Sequence, residues 1–233
     1  MPENEKREKE MEILPFFAIP KGVTAIIGGG GKTTLMTTLA EELKEKGTVI
    51  FCTSTHIRIP EDYPLITGMA DAIREGLSFG GVVCAGRIDK DNKITAPGLP
   101  FRELQGLADY ILVEADGSKG LPLKAHASHE PVIPEESKLT ILVTGADGFG
   151  KPVKEVCHRH ELWAGIAGVS VDDRVTPASL AKVVREESLG DVLFVNKTES
   201  ERERTDAAEL AGYLKMPVVM GSLKNKIYRR WVL

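Results

Sequence analysis

Short apolar runs alternate with amphipathic segments along most of the chain. The amphipathic segments 35–46, 177–187 and 205–214 carry apolar side chains at helical spacing, which predicts helices. The apolar runs are nearly continuous, as in parallel strands that are covered on both faces. They lie at residues 23–27, 48–52, 111–113, 139–143, 192–195 and 217–220. The alternation predicts an α/β fold in which a mostly parallel sheet carries helices on both faces.

A polar stretch at residues 89–92 interrupts this alternation. It is flanked by the apolar segments 81–85 and 93–95, which predicts a β-hairpin inserted between the parallel elements. The stretch lacks the glycine and the distal glutamate of an EF-hand loop, so we interpret it as a plain turn. Residues 1–12 are mostly charged and predict a solvated tail. Residues 13–233 contain no repeat or linker-like change in composition, which predicts a single domain.

The charge balance and the cysteines limit the classes of function. The chain has 34 acidic and 30 basic residues and a net charge of −4, so we expect no nucleic acid partner. No apolar run approaches the ~20 residues that span a bilayer, and the charged start is unlike a signal peptide, so we expect no membrane association. The three cysteines form no CxxC pair, which favours neither a disulfide framework nor a four-thiolate zinc site. We therefore expect a cytoplasmic protein.

A glycine-rich segment joins the first predicted strand to the first predicted helix. Backbone amides of such a loop can point at a phosphate, and the helix start adds a positive dipole end. A lysine here neutralises the outer phosphates, and the first threonine supplies a hydroxyl for Mg²⁺. We therefore expect these residues to bind ATP or GTP: Gly28, Gly29, Gly30, Gly31, Lys32, Thr33 and Thr34.

Two observations weigh on this interpretation. The strict pattern G-x-x-x-x-G-K-[ST] fails, because Ile26 stands where its first glycine belongs. The alternative is a flexible turn with Lys32 exposed to solvent. Each glycine, however, destabilises a regular element by about 0.5–1 kcal/mol relative to alanine, and a mere connector has no need of four. The sequence thus predicts a three-layer P-loop NTPase-like fold.

Two carboxylates follow the third predicted strand. Nucleotide-binding proteins of this kind place an acidic group at a neighbouring strand end to hold Mg²⁺ or to orient a water. We expect Glu114 to hold Mg²⁺ together with Thr33, and Lys32, Glu114 and Asp116 to form the catalytic set. Asp116 is open between a metal, a water-orienting and a turn-forming role. The alternative for Glu114 is a carboxylate that simply ends a strand at the surface.

The segment Asn196-Lys197-Thr198-Glu199 follows another apolar run. It is similar to the N-K-x-D element with which GTPases read guanine, with glutamate in place of aspartate. A carboxylate at this position accepts two hydrogen bonds from guanine that adenine does not offer. We therefore assign Asn196, Lys197 and Glu199 to nucleotide binding. The alternative is a solvated helix start in an ATP-binding protein.

Several weaker candidates remain. Thr55 and His56 follow the second predicted strand, where they are candidates for contact with the γ-phosphate or its metal. We interpret Cys52 as a buried strand cysteine. Two clusters that suggest a metal site are interpreted as surface or hydrogen-bonding groups, namely His126 with His129, and Cys157 with His158 and His160. Three arginines are candidate transition-state cations: Arg58, Arg87 and Arg174.

Over most of residues 15–220 the chain resembles the selenium-dependent molybdenum hydroxylase accessory proteins, a family also called YqeC. The resemblance rests on the glycine loop and on the segments 53–56 (TSTH), 113–124 (VEADGSKGLPLK), 129–134 (HEPVIP) and 196–197 (NK). The segment 113–124 is the most specific, because generic P-loop proteins lack it. The resemblance implies a nucleotide-dependent role in maturing such hydroxylases, with the hydroxylase or its cofactor-loading machinery as partner.

A wider likeness is to the P-loop class of nickel-delivery GTPases and the molybdopterin-guanine dinucleotide adapter protein. The E-x-x-G order of residues 114–117 is similar to the nickel-delivery enzymes. Ile27 stands where the signature lysine of part of that class would be, so a dimer mechanism that uses this lysine is not implied. A homodimer of another kind stays open.

Three functional hypotheses follow from these patterns. The first is a Mg²⁺-dependent nucleoside triphosphatase that drives delivery of a selenium or molybdenum-cofactor component. The second is a kinase whose small acceptor is held by residues of the segment after the third predicted strand: Asp116, Lys119, Lys124, His126 or His129. The third is a non-hydrolytic nucleotide-binding adapter.

Overall fold

The computed structural model describes residues 11–57 and 63–231. Its strands are β1 (Gly22–Gly28), β2 (Val49–Thr53), β3 (His56–Ile57), β4 (Leu65–Ile66), β5 (Val82–Ala85), β6 (Arg87–Ile88), β7 (Ile94–Thr95), β8 (Tyr110–Glu114), β9 (Leu123–Lys124), β10 (Ser137–Gly145), β11 (Cys157–His158), β12 (Val192–Asn196), β13 (Val218–Ser222) and β14 (Ile227–Trp231). Its helices are α1 (Lys32–Leu43), α2 (Ala70–Gly80), α3 (Phe101–Leu104), α4 (Val153–Val156), α5 (His160–Ala167), α6 (Pro177–Glu187) and α7 (Glu201–Gly212). The candidate Arg58 and most of the charged segment 1–12 lie outside the described residues.

One large sheet organises the described part of the chain. Its nine strands follow the order β14-β13-β12-β10-β1-β8-β2-β5-β4. Neighbouring strands are parallel, except that β14 pairs antiparallel with β13. Each apolar run of the sequence lies in one of these strands. The predicted α/β fold with a mostly parallel sheet is confirmed.

Helices cover both faces of the sheet. On one face, the buried side chains of α1, among them Leu35 and Leu39, pack against Ile26 of β1 and Leu112 of β8. On the other face, α5, α6 and α7 pack over β1, β10 and β12, and α2 packs over β2 and β5. The continuous apolar strands are explained by this three-layer arrangement, since each strand is buried from both sides.

The helix α6 begins where its sequence predicts. Thr176 is the N-cap, and its side chain accepts a hydrogen bond from the Ser179 amide at 3.1 Å. Pro177 is the first helical residue, where its missing N–H is not needed.

None of the helices in the described ranges combines the length and the apolar character that a membrane-spanning helix requires.

The inserted hairpin differs from its prediction. Residues 82–85 belong to the large sheet as β5, which pairs with β2 and β4, because this apolar run is buried on both faces. The hairpin is formed by β6 and β7, and β3 extends it to a three-stranded sheet. Gly86 separates β5 from β6, and a Cβ there would lie 2.1 Å from Cγ2 of Ile94. A glycine is therefore needed where the chain leaves the large sheet.

The carboxyl ends of four neighbouring strands meet at one edge. In the sheet register, Ile26 of β1 lies beside Glu114 of β8, and Gly145 of β10 lies beside Asn196 of β12. Gly28 is the last residue of β1, which lies between β8 and β10. Open parallel sheets bind their ligands at this edge, and the glycine loop lies there.

Candidate functional site

Several backbone amides of the glycine loop point into the protein, where they donate hydrogen bonds. The Gly28 amide donates to Oδ2 of Asp116 at 2.9 Å, the Gly29 amide to the Val143 carbonyl at 2.9 Å, and the Gly30 amide to the Leu121 carbonyl at 3.1 Å. We expected the amides of all four glycines to face the phosphates. That expectation is wrong for these three, because neighbouring strand ends and the segment after β8 supply their acceptors.

The close approach of these neighbours explains the glycines. A Cβ on Gly29 would lie 2.6 Å from the Leu121 carbonyl oxygen. A Cβ on Gly30 would lie 2.3 Å from the Gly145 nitrogen, and Gly30 also has a φ of +78°, a left-handed conformation that glycine adopts without penalty. The loop is thus a compact and internally bonded support for the start of α1.

The free amides lie at the first turn of α1. The Leu35 amide donates to the Gly31 carbonyl at 2.9 Å. No acceptor in the described ranges takes the amides of residues 31–34, and all four residues line one open cleft. Unpaired amides at a helix start form an anion-binding site together with the helix dipole. Gly31 and the three residues after it are therefore candidates to bind a phosphate, and we call these four residues the phosphate cradle.

Lys32 points back over the loop. Its side chain is 3% exposed, and Nζ donates to the Gly28 carbonyl at 2.7 Å. Nζ also lies 3.1 Å from Oδ1 of Asp116 and 3.6 Å from Oε1 of Glu114. The alternative of a solvent-exposed lysine is therefore wrong. Two carboxylates hold its ammonium beside the cradle, so a phosphate that binds there meets a preplaced positive charge.

Thr33 and Glu114 form the oxygen pair expected for a magnesium ion. The Thr33 hydroxyl donates to Oε2 of Glu114 at 2.9 Å. Burial raises the pKa of Glu114 and outweighs the opposing charge of Lys32, so a further cation would stabilise the ionised carboxylate. The described residues contain no group of three or more His, Cys, Asp or Glu side chains placed to hold a metal ion. A hydroxyl and a carboxylate oxygen placed side by side fit Mg²⁺, which binds through few protein oxygens together with phosphates and waters.

Asp116 lies at the centre of a buried network of charges. Its Oδ2 lies 2.7 Å from Nε2 of His126, and Nδ1 of His126 lies 2.8 Å from Oε2 of Glu187 at the end of α6. Burial opposes ionisation of Asp116, but the His126 hydrogen bond and the charge of Lys32 outweigh it and lower the pKa of Asp116. Burial likewise opposes the charge on His126, but its bonds to the two carboxylates raise its pKa.

Lys124 and Glu130 extend this network away from the cleft. The Lys124 side chain is fully buried, and its Nζ donates to Oε2 of Glu130 at 2.8 Å and lies 3.4 Å from Oδ2 of Asp116. Glu130 also pairs with Arg159, which contacts His129. The burial of Lys124 and the ion pairing around it exclude it from the cleft surface.

The expected acceptor-binding set is therefore largely wrong. Asp116 is fully buried, and the side chain of His126 is only 2% exposed, so neither can bind a small acceptor or orient a water in this arrangement. Lys124 is buried with them, and His129 faces Arg159 instead of the cleft. Of that set, Lys119 alone lines the cleft.

The cleft beside the cradle has a volume of about 870 Å³. One wall is the start of α1, and the other comprises the loop 117–120 and the small sheet with His56 and Lys93. The structure thus places His56 in the cleft, whereas Thr55 bonds to Thr53 and does not line it. Lys93 was missed, because nothing local distinguishes it from the turn that precedes it.

Asn196 joins the glycine loop to the end of β13. Its Nδ2 donates to the Gly30 carbonyl at 2.8 Å, and its Oδ1 accepts from the Leu223 amide at 3.1 Å. Lys197 lines the cleft and pairs with Asp147 at 2.9 Å. Asn196 thus supports the loop through both of its polar side-chain atoms.

Glu199 lies apart from the phosphate cleft. It borders a second cavity of about 580 Å³ beside β13 and β14, and its Oε1 accepts from the Ser222 hydroxyl at 2.7 Å. Its side chain is exposed to solvent. A carboxylate held in this way can accept hydrogen bonds from a ligand, but the cleft itself does not include it.

The weaker candidates take structural positions. Cys52 is fully buried, and burial raises its pKa well above the usual value. Burial also raises the pKa of Cys157 to about 12, so neither thiol is activated. Arg87 and Arg174 donate to the carbonyls of residues 97 and 150, and neither lines the cleft.

A family model described as YqeC protein matches residues 24–161, more than half of the chain. The chain belongs to the YqeC family. It is 33% identical over 172 residues to the uncharacterized protein YqeC of Escherichia coli K12, a match that covers 70% of this chain and 67% of that protein. The resemblance expected from the sequence is therefore confirmed at the level of the family.

Two further proteins are similar to the chain. The ATP-dependent dethiobiotin synthetase BioD of Aquifex aeolicus is 28% identical over 139 residues, which is 55% of this chain and 63% of that enzyme. The signal recognition particle 54 kDa protein of Aeropyrum pernix in complex with GDP is 13% identical, with a TM-score of 0.40 over 92% of this chain and 45% of that one. The chain thus spans less than two thirds of either relative.

The region that the YqeC family model matches contains only part of the candidate site. The region 24–161 contains the glycine loop, the Thr33–Glu114 pair and Asp116 with His126. Glu187 and the segment 196–199 lie beyond it. The phosphate side of the site therefore belongs to the matched YqeC region, and the candidate base-reading side does not.

Proposed function

We propose that this YqeC protein binds a nucleoside triphosphate with Mg²⁺ in the cleft and hydrolyses it. The observation that carries the proposal is the Thr33–Glu114 pair at 2.9 Å, directly beside Lys32 and the free amides of residues 31–34. Hydroxyl, carboxylate, ammonium and amides are the four kinds of group that phosphoryl-transfer sites use to hold Mg²⁺ and triphosphate.

Each residue has a distinct part in this proposal. The amides of residues 31–34 and Lys32 bind the phosphate oxygens and stabilise the charge that develops on them. Thr33 and Glu114 hold the Mg²⁺, which neutralises phosphate charge when it is bound. Asp116 is a positioning residue, because it fixes both the Gly28 amide and the Lys32 ammonium.

Two observations concern the identity of the base. The name of the dethiobiotin synthetase relative supports ATP. The exposed Glu199 carboxylate, held by Ser222 at the end of β13, supports the reading of guanine. We propose Glu199 as the guanine-reading residue.

The cellular role is proposed from the family resemblance. Nucleotide binding or hydrolysis would serve the maturation of selenium-dependent molybdenum hydroxylases in the cytoplasm, with the hydroxylase or its cofactor-loading machinery as partner. The YqeC match supports this role only through the family.

A calorimetric titration with non-hydrolysable ATP and GTP analogues, with and without Mg²⁺, tests the function. We expect saturable binding at one site that is tighter with Mg²⁺. The Lys32→Ala variant should lose the binding, whereas the matched control Lys46→Ala, at an exposed lysine after α1, should keep it. A following assay of phosphate release from the preferred nucleotide tests hydrolysis.

Two results would contradict the proposal. One is the absence of binding of either analogue to the wild-type protein. The other is equal binding by wild type and the Lys32→Ala variant, which would locate the nucleotide elsewhere. Tight Mg²⁺-dependent binding without phosphate release, even with the hydroxylase added, would support the non-hydrolytic adapter instead.

A further inference from the structure

The cleft carries more positive charge than the phosphate cradle supplies. Among the described residues that line it are four lysines and one carboxylate, although the whole chain has a net charge of −4. The carboxylate is Glu114, and the lysines are Lys32, Lys93, Lys119 and Lys197. A cleft lined mainly by one sign of charge concentrates ligands of the opposite sign.

The four lysines fall into two classes. Lys32 and Lys197 are neutralised within the protein by Asp116 at 3.1 Å and Asp147 at 2.9 Å. Lys93 and Lys119 are exposed and form no ion pair within the described ranges. Neither ammonium is held in an ion pair, although the Asp89 carboxylate, which accepts the Lys93 backbone amide at 2.9 Å, lies close enough to attract the Lys93 charge.

Lys119 belongs to a loop that lies beside the end of the Lys32 side chain. The neighbouring Ser118 hydroxyl is 3.4 Å from Nζ of Lys32. The loop is held in place, because Lys124 donates to the Gly117 carbonyl at 2.6 Å and the Leu121 amide to the Ser118 carbonyl at 3.0 Å. The loop that carries Lys119 is thus held beside the end of the Lys32 side chain, and Lys119 lines the cleft from this loop.

Lys93 approaches the cleft from a different element. It immediately precedes β7, whose residue Ile94 pairs with Ile57 of β3. His56 of β3 lines the same cleft. The small sheet therefore brings a lysine and a histidine to the cleft in addition to the groups that the triphosphate needs.

We propose that Lys93 and Lys119 bind a second small anion, a carboxylate or an inorganic oxyanion, beside the outermost phosphate of the nucleotide. This inference rests on the proposed function and extends it to the second ligand. It replaces the acceptor-binding set expected from the sequence, since Lys124 and His126 are buried whereas Lys93 and Lys119 reach the cleft. Two flexible ammonium groups suit an anion of small size and variable geometry.

The test is a titration of the full chain saturated with Mg²⁺ and the preferred non-hydrolysable nucleotide. The probes are inorganic phosphate, sulfate, acetate and succinate, and binding is measured by calorimetry. The Lys93→Ala/Lys119→Ala variant is compared with a control of equal charge change, Lys90→Ala/Lys215→Ala, whose lysines are exposed and do not line the cleft.

We expect at least one probe to bind wild type and control at one site. The Lys93→Ala/Lys119→Ala variant should bind it at least about 100-fold more weakly, because two charge-assisted contacts are lost, and should keep its affinity for the nucleotide. Failure of every probe to bind the wild type would overturn the proposal, as would equal binding by the variant. A loss of nucleotide binding as severe as in Lys32→Ala would assign the two lysines to the triphosphate and overturn it as well.

The same titration without nucleotide separates this proposal from the proposed function. If the wild type binds no nucleotide but binds a probe that only the Lys93→Ala/Lys119→Ala variant loses, the anion site stands and the nucleotide function fails. If nucleotide binds normally and no probe binds, the function stands and the second site fails.

Discussion

Asp116 and His126 are ten residues apart in the chain and meet at 2.7 Å between Oδ2 and Nε2, with side chains that are 0% and 2% exposed. The same oxygen of Asp116 accepts the Gly28 amide. Both ring nitrogens of His126 face carboxylate oxygens, and only the protonated imidazole can donate from both. A buried imidazolium therefore helps to fix the glycine loop.

This relationship predicts a pH-dependent effect of His126→Gln on stability. The pKa of His126 is raised above 6.5 in the folded protein. Its contribution is therefore fully present below pH ~6.5, the value of an unperturbed histidine, and is lost as the pH rises through the raised folded value. We expect the variant to be destabilised by about 3 kcal/mol near pH 6, as when a buried ion pair loses a partner, and by less near pH 9.

Thermal or urea unfolding at the two pH values measures this difference. The control is His129→Gln, an exposed histidine, which should change stability little at either pH. The Asp116 carboxylate does not mask the effect, because its pKa is lowered, and its own contribution is lost only in acid, as the pH falls through that lowered value. A loss of stability that is equal at pH 6 and pH 9 would contradict a protonated His126.

The glycine loop offers a comparison of two alanine substitutions at almost equal backbone angles. Gly30 has a φ of +78° and a Cβ there would lie 2.3 Å from the Gly145 nitrogen, whereas Gly120 has a φ of +76° and no atom within 4 Å of its Cβ position. Gly120→Ala should be destabilising by about 1 kcal/mol, the strain of a left-handed alanine. Gly30→Ala should be destabilising by clearly more, because backbone must move.

Chemical denaturation of the two variants checks this prediction, and Mg²⁺–nucleotide titration provides a second measurement. Gly30→Ala should also lose nucleotide affinity, since the displaced segment carries the cradle, while Gly120→Ala should retain most of it. If the two variants are equally stable, the contact with Gly145 is not what requires the glycine.

The parts of the fold that the sequence predicts are those with a local signal. Continuous apolar runs mark the buried parallel strands, and Thr176 before Pro177 marks the start of α6. The strand β14 lacks such a run, because it lies at the edge of the sheet, buries only Tyr228 and contains the exposed pair Arg229 and Arg230. The helix α5 has eight residues and follows Arg159 in a left-handed conformation, which the sequence does not signal.

The sequence predicts which residues lie at the candidate site, but it does not predict the directions in which their amides and side chains point. Lys32, Thr33 and Glu114 follow from their positions next to a strand end and the glycine loop. The direction of the loop amides depends on acceptors that are distant in the chain. The Gly28 amide donates to Asp116, which is 88 residues away, and the Gly29 amide donates to the Val143 carbonyl. Likewise, Glu187 pairs with His126 across 61 residues. Contacts of this range leave no periodic or local pattern in the sequence.

The proposed reading of guanine predicts a selective effect of Glu199→Gln. The amide replaces a carboxylate oxygen with a donor that opposes the N–H groups of guanine. We expect affinity for the GTP analogue to fall about 10- to 100-fold, the equivalent of a charge-assisted hydrogen bond, and affinity for the ATP analogue to stay the same. Calorimetry with both analogues measures the selectivity.

The matched control for this variant is Glu201→Gln, an exposed glutamate in the first turn of α7, which should change neither affinity. Retention of full GTP affinity by Glu199→Gln would remove Glu199 from base recognition. In that case the hydrogen bond from Ser222 only orders the loop between β12 and α7.

Removal of the Thr33 hydroxyl should uncouple nucleotide binding from Mg²⁺. In Thr33→Val the side chain keeps its shape but loses the oxygen that pairs with Glu114 at 2.9 Å. We expect the ratio of nucleotide affinities with Mg²⁺ and with EDTA to fall by about tenfold, roughly the strength of one hydrogen bond to a charged group. Calorimetry of the wild type and variant in both buffers gives this ratio.

The neighbouring Thr34 supplies the comparison, because its side chain has the same chemistry and exposure but no contact with Glu114. Thr34→Val should keep the wild-type ratio even if its absolute affinity changes. The coupling should also weaken in acid, since the raised pKa of Glu114 means that its carboxylate is protonated at a higher pH than an ordinary glutamate. If Thr33→Val keeps the wild-type ratio, the metal is held without Thr33, and the pair is a structural hydrogen bond.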